Sequence, residues 1–454
     1  LLIKELVTSL GENKISQSES DLYKFSKDES SHMPVEPDVV VFPESEEDIV
    51  AVLKIARKLR VPVIPYGAGS GLEGQIIPVN KGISISFERM NHIVDFQPED
   101  LTVTVQAGVT RLQLNEFVNK HGLYFPIDPG ADATIGGMTA TNASGTTAVK
   151  FGSMRDQLLD LKVVMADGKV IHTGTKAKKS SSGYNLTGLF AGSEGTLGIM
   201  TEITLRLHGI PEHTIAARCT FGTIEECASA AQSVLMSGIP VLRMEMVDAT
   251  SIAQVNAYGG YSFPVEPSLF FEFCGSRLAA TEDAETTKTL CTELGCQHFE
   301  TAEGSKERAL LWKARHEMAY AFRHQKGMAF TGGDVCVPIS KLPQMVAHAR
   351  QLIDESGLHG GTFGHVGDGN FHTLIMFDPK LPHEKQAAEY TNEQLALLAI
   401  SLGGTCTGEH GVGLGKRKFQ QQEHGDALIV MKQMKNLLDP LNILNPGKIF
   451  PDEV

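Results

Sequence analysis

The sequence predicts an α+β protein of two domains. Three observations predict it: a length of 454 residues, a strand-dense first half, and a change of texture past residue 210. A chain this long exceeds what one hydrophobic core supports, so the core must divide. Hydrophobic residues make up 42% and charged ones 21%, a balance that excludes wholesale disorder.

The elements follow in order. Ser45-Glu46-Glu47-Asp48, then Ile49, Val52, Leu53, Ala56 and Leu59, reads as a capped amphipathic helix. Short strands are expected around it at Val39–Phe42, Val61–Pro65, Ile83–Phe87 and Thr102–Ala107. From Tyr66 to Gly152 the chain is crowded with Gly, Thr, Ser and Asn, which is loop chemistry rather than helix chemistry. Leu161–Met165 and Lys169–Thr173 read as a hairpin turning through Ala166-Asp167-Gly168. Past Gly209-Ile210-Pro211, longer helical patterns (Glu225–Met236, Lys306–Arg323) alternate with apolar strands such as Ser268–Phe273. The boundary is therefore set near Pro211. A last helix, Ala427 to Leu438, stops at Asp439-Pro440.

The formal charge of -14 repels phosphate backbones and excludes nucleic acid as the main partner. Seven cysteines, odd in number and without a C-x-x-C pair, suit a reducing compartment and supply no thiolate metal site. No apolar run reaches the length of a membrane span, so no transmembrane segment is expected. The chain opens on Leu1 rather than Met, which leaves open whether a leader has been removed.

Gly69-Ser70-Gly71-Leu72-Glu73-Gly74 matches the dinucleotide fingerprint, whose meaning depends on a helix following it. Here Pro78 and Gly82 disrupt any such helix, and a β-rich Ile83–Phe87 comes next. The Rossmann reading fails. A strand–glycine loop–strand remains, open to two readings: a backbone nest for phosphate, or a glycine turn without ligand. A second small-residue block, Asp128 to Gly145, then Gly152-Ser153-Met154-Arg155-Asp156 and Gly192–Gly198, can line a long cofactor with backbone donors and hydroxyls.

On these segments, residues 38–210 resemble the FAD-binding domain of the vanillyl-alcohol oxidase and para-cresol methylhydroxylase family. The resemblance implies an FAD-binding domain over 1–210, with 415–454 returning to it as a helical segment, and an α+β substrate (cap) domain over 211–414. It implies FAD with its pyrophosphate against the first loop, at Pro65, Gly67, Gly69, Ser70, Gly71 and Leu72. The ring is expected near Thr134, Gly136, Gly137, Thr141, Asn142 and Gly145, with Pro129, Asp132, Arg155, Glu194, Gly195, Ile199 and Asn445 completing the cofactor set. Many members tether the flavin through a His or Cys in the first loop. Residues 65–74 contain neither, so non-covalent FAD is expected.

The sharpest local pattern is His365-Val366-Gly367-Asp368-Gly369-Asn370-Phe371-His372 between two strand-like runs. A two-residue Asp368-Gly369 turn would place His365 directly opposite His372, close enough to share a metal ion. A wider Gly-Asp-Gly-Asn loop would change that alignment, and surface histidines without a ligand are the plain alternative. Glu409, in Cys406-Thr407-Gly408-Glu409-His410-Gly411, is the third candidate ligand, with His410 beside it as a proton-exchanging partner. Solvent exposure for Glu409 and a buried hydrogen-bonded imidazole for His410 are the alternatives.

Both segments resemble the D-2-hydroxy acid dehydrogenase branch of the same flavoprotein family. The resemblance implies His365, His372 and Glu409 as ligands of zinc or manganese, and His410 as general base. Arg315, in Leu311-Trp312-Lys313-Ala314-Arg315-His316, looks like the arginine that binds the substrate carboxylate, although locally it reads equally as a solvated helix arginine. Lys179–Phe190 and Asp334–Pro338 are most similar to the mitochondrial D-lactate-oxidising members. The implied activity is oxidation of D-lactate or a related small D-2-hydroxy acid to the 2-keto acid, with hydride passing to flavin N5. The implied acceptor is a one-electron respiratory carrier such as cytochrome c or an electron-transfer flavoprotein.

An oxygen-using flavin alcohol or sugar oxidase would share residues 38–210 but has no need of the histidine pair. A metal-dependent hydrolase would leave the glycine-rich half unexplained, and a non-catalytic binding protein would keep the folds without turnover.

Overall fold

A computed structural model describes residues 1–452, and the chain divides into two compact units. The first comprises Leu1–Ser144, Gly152–Ile210 and the segment from Glu409 onward; the second comprises Gly145–Phe151 and Pro211–Gly408. Residues 409–414, expected in the second domain, thus group with the first, while 145–151 group with the second.

The first unit holds two main sheets and a two-stranded pair, Leu123–Tyr124 with His208–Gly209. Val39–Val41 and Val63–Tyr66 lie parallel on either side of Ile83–Ser86, and Ile15–Ser16 pairs antiparallel with Val39–Val41. Parallel strands need a crossover, and helix Glu46–Leu59 supplies it. Its Ser45 cap accepts from the Asp48 amide, and Ile49, Val52, Leu53, Ile55 and Ala56 are buried along one stripe. The second sheet is antiparallel, in the order Ile93–Gln97, Thr102–Gln106, Ile199–Arg206, Leu158–Val164 and Val170–His172. Its last two strands form the expected hairpin, with Met165 N donating to Lys169 O at the turn.

Between Tyr66 and Gly152 the expectation of loop rather than helix is corrected: helices occupy Arg111–Val118, Ile135–Thr141 and the single turn Ala148–Phe151. The second begins at Thr134, whose side chain accepts from the Gly137 amide. Its first glycine serves packing. A Cβ at Gly136 would stand 2.7 Å from the Ala107 Cβ and 2.8 Å from the Ala107 carbonyl oxygen, so only glycine lets the helix sit that close to the sheet. Low helix propensity is outweighed by that approach.

The C-terminal segment enters the first sheet directly. Val63 N donates to Ile443 O at 2.7 Å, and Asn445 N donates to Val63 O at 2.9 Å, so the chain runs parallel beside Val63. Helix Ala427–Leu438 is fixed by a buried ion pair: Lys435 Nζ meets Asp439 Oδ2 at 2.5 Å and also donates to Thr196 O and Leu444 O. The Asp439 carboxylate in turn accepts from the Ile443 and Leu444 amides.

The second unit is one seven-stranded antiparallel sheet. Its order is His298–Ala302, His213–Thr220, Ser268–Gly275, Arg243–Val247, Gly360–Gly364, Asn370–Phe377 and Ala329–Cys336. Asn370–Phe377 is buried at every position, so helices cover both faces and the usual in–out alternation is absent. All seven cysteines are free thiols. Among the described residues, no helix is long and apolar enough to cross a membrane.

Candidate active site

In the first unit, strand Val63–Tyr66 leads into the first glycine loop, and no helix follows it before Ile83. At Gly67 a Cβ would come within 2.5 Å of Thr134 Oγ1, so a bare backbone here lets the two glycine-rich segments meet. They wall one cavity, lined by backbone and small side chains from both segments.

Of the residues expected at the cofactor, Pro65, Gly67, Gly69, Ser70, Gly71 and Leu72 line this cavity from the first loop. Pro129, Thr134, Gly136, Gly137 and Thr141 line it from the second block, and Glu194, Gly195 and Asn445 from later segments. Five others are placed elsewhere. Asp132 accepts from the Leu112 amide at the start of helix Arg111–Val118. Asn142 Oδ1 accepts from Ser153 Oγ and the Arg155 amide, and Arg155 donates to Ala191 O. Ile199 is a core residue, 1% exposed. Gly145 falls in the second unit.

Glu409 and His410 line the same cavity. Their loop is held through its backbone: Gln75 Nε2 donates to His410 O at 2.6 Å, and the Glu194 carboxylate accepts from the Val412 and Gly413 amides. Burial pushes the Glu194 carboxyl up to about 7, against the pull of those two amides. Ser144 Oγ donates to Glu409 Oε2 at 3.1 Å, and His410 Nδ1 stands 4.0 Å from Glu73 Oε1. Asn445, 1% exposed, donates from Nδ2 to both Gln75 O and Glu194 O, tying the first loop to the Gly192–Gly198 segment.

In the second unit the His365/His372 hairpin has the wider loop. His372 pairs with Phe363, not His365, because the chain turns over four residues from Val366 to Gly369. The direct opposition of the two histidines is therefore corrected by two positions. An even shift keeps every side chain on its face. His365, two residues past Phe363, still shares a face with His372, and the rings stand 5.3 Å apart at 83°. His365 Nδ1 is hydrogen-bonded to the buried Glu245 Oε1 at 2.7 Å, and His372 Nδ1 stands 3.5 Å from the buried Asp334 Oδ1. For His365, a carboxylate bonded to Nδ1 selects the tautomer with the lone pair on Nε2, the usual support of a metal-binding histidine. The donor set fits a divalent ion.

Arg315 lies on helix Ser305–Arg323 and is 6% exposed, so it is no solvated surface residue. Its Nε and Nη2 donate to Glu245 Oε2 at 2.9 and 2.5 Å, and its guanidinium lies 5.1 Å from the Phe363 ring centroid. Glu245 is the residue that sequence reasoning missed. It is wholly buried in strand Arg243–Val247, where burial alone pushes its carboxyl up but His365 and Arg315 pull it down to about 2. The sequence shows only that this acid stands between Met244 and Met246, where burial would demand partners, and it does not say which.

Comparison with known proteins bears on both units. Residues 210–449 match the family described as FAD linked oxidases, C-terminal domain, and residues 37–174 match a FAD binding domain. The chain is 44% identical to a probable mitochondrial D-lactate dehydrogenase of Danio rerio, over 97% of this chain and 90% of that one. It is 41% identical to the mitochondrial D-lactate dehydrogenase [cytochrome] of Arabidopsis thaliana, over 100% of this chain and 80% of the other. Among solved structures, p-cresol methylhydroxylase with substrate bound superposes with a TM-score of 0.79 at 19% identity, covering 99% and 96% of the two chains. At that identity the likeness establishes the fold.

Proposed function

The chain belongs to the FAD-linked oxidases, and on that premise we propose that it oxidises D-lactate, or a similarly small D-2-hydroxy acid, to the 2-keto acid. The observation that carries this reading is that the Glu409-His410 loop lines the same cavity as the flavin-binding glycine segments. A candidate base thus stands at the cofactor. Bound there, FAD supplies the acceptor for the hydrogen and electron pair leaving the substrate Cα. His410 takes the hydroxyl proton. Arg315 holds the substrate carboxylate and so fixes the direction of Cα–H, turning orientation into rate. A guanidinium has two forked edges. Glu245 occupies the Nε–Nη2 edge, so the Nη1–Nη2 edge is the one for the substrate.

His365, His372 and Glu409 are the proposed ligands of a divalent metal, zinc or manganese, which would favour loss of the hydroxyl proton. The carboxylates behind the two imidazoles support that role. A mitochondrial location is supported by the names of both relatives, and a cytochrome acceptor such as cytochrome c by the name of the second; an electron-transfer flavoprotein is the other one-electron acceptor proposed. An oxygen-using alcohol or sugar oxidase is not favoured by those relatives.

The test is anaerobic mixing with D- and L-2-hydroxy acids while flavin absorbance is followed. D-lactate is expected to bleach the flavin rapidly and L-lactate far more slowly. If no D-2-hydroxy acid bleaches it, the reading fails, and rapid hydrogen peroxide formation without added acceptor would point to the oxidase instead. Because residues 65–74 hold no His or Cys, acid precipitation should release all the FAD into the supernatant. Flavin retained in the pellet would show a covalent link from another segment.

A further inference from the structure

We propose that Glu245 is a positioning residue that locks the substrate-binding Arg315 and the metal-binding His365 into one unit, so that substrate affinity and metal affinity depend on the same carboxylate. The inference deepens the reading of Arg315 and His365 given above and rests on it.

The geometry carries it. Glu245 is wholly buried on strand Arg243–Val247 and reaches partners from two other elements, helix Ser305–Arg323 and the loop after strand Gly360–Gly364. Oε2 takes both Arg315 nitrogens, and Oε1 takes His365 Nδ1. One acceptor oxygen is assigned to each function. The strand itself is held between Ser268–Gly275 and Gly360–Gly364, so the carboxylate sits on a rigid support. Arg315 is further confined over the Phe363 ring, and Phe363 is paired in register with His372. Both imidazoles and the guanidinium thus refer to one sheet position.

Glutamine at 245 would keep the shape but turn one oxygen into an NH2 donor. Every polar group it faces is itself a donor: the Arg315 N–H groups on one side, the His365 Nδ1–H on the other. Whichever way the amide turns, one partner meets a donor, and the buried guanidinium loses its countercharge. An isolated structural ion pair would affect stability alone. A shared positioning carboxylate must affect two binding constants.

The experiment uses the FAD-loaded enzyme with three variants, Glu245→Gln, Glu245→Asp and Arg315→Lys, and reads KM for D-lactate, kcat, FAD content and the zinc or manganese dissociation constant by chelator competition. For Glu245→Gln, FAD content should stay at the wild-type level while metal affinity falls about 10- to 100-fold, the usual effect of removing the group behind a metal-binding histidine. KM should rise at least severalfold in the same variant. Glu245→Asp keeps the charge but shortens the reach by one methylene, and should show both effects at smaller size. It also serves if Glu245→Gln does not fold. Arg315→Lys should raise KM with little change in metal affinity. An Arg315→Lys enzyme of unchanged KM would mean that the carboxylate reading itself fails. If Arg315→Lys raises KM but a folded Glu245 variant alters neither KM nor metal affinity, that reading stands and the proposal for Glu245 is overturned.

Discussion

Replacing His410 by Ala is expected to slow flavin reduction by roughly two to four orders of magnitude, the contribution of a positioned acid–base group. The loop should survive the change. Its anchors are the Gln75 side chain on the His410 carbonyl and the Glu194 carboxylate on the Val412 and Gly413 amides, none of which involves the imidazole. FAD content and metal affinity should therefore remain at wild-type levels, which separates a chemical defect from a folding one. The measurement is the anaerobic pre-steady-state rate of flavin reduction by D-lactate, because steady-state turnover also includes the acceptor. A variant that reduces its flavin as fast as wild type would place the base elsewhere. His316 is then the next imidazole to test, although its Nδ1 is already engaged with Trp312 O at 2.6 Å on its own helix.

Asp439→Ala should produce the largest loss of stability, about 3–5 kcal/mol, because it strands the buried Lys435 ammonium without its partner. The same change removes the acceptor for the Ile443 and Leu444 amides, immediately before Asn445. Weakened FAD retention should accompany the loss. Replacing both members by apolar residues often rescues a buried ion pair, but it should not do so here. Lys435 also satisfies two carbonyls, and Asp439 two amides, which no hydrocarbon can replace. Urea unfolding followed by flavin fluorescence reads both effects, and a change below about 1 kcal/mol with full FAD content would refute the assignment.

Local patterns carried much of the fold. The Ser45 cap, the hairpin after Leu158 and the span Ala427–Leu438 are each set by neighbours within a few residues, so sequence alone places them. Helix Ile135–Thr141 was hidden because its Gly136 answers to Ala107, a contact made in space. The hairpin register was hidden because Gly367-Asp368-Gly369 accommodates a two- or a four-residue turn with similar ease. The histidine motif itself was legible, as were the flavin loops. Glu245 was not. Its meaning lies in Arg315, 70 residues away, and His365, 120 residues away, and no local pattern announces either partner.

The parallel seat of Leu444 beside Val63 has a consequence for how the protein is made. Val63–Tyr66 leaves the ribosome early, yet its outer flank is completed only by residues 443–445, and Asn445 meets Gln75 across 370 positions of chain. During that interval the nascent cofactor domain carries an unpaired strand flank, the kind of surface that invites wrong pairing. Pro211–Gly408, by contrast, is uninterrupted and finished sooner. The second unit is therefore free to fold while the first waits, and the full grip on the flavin forms only once residues 443–445 are in place. Cofactor loading is accordingly expected to follow synthesis of residues 443–445, with the demand for chaperones falling on the first unit rather than the second.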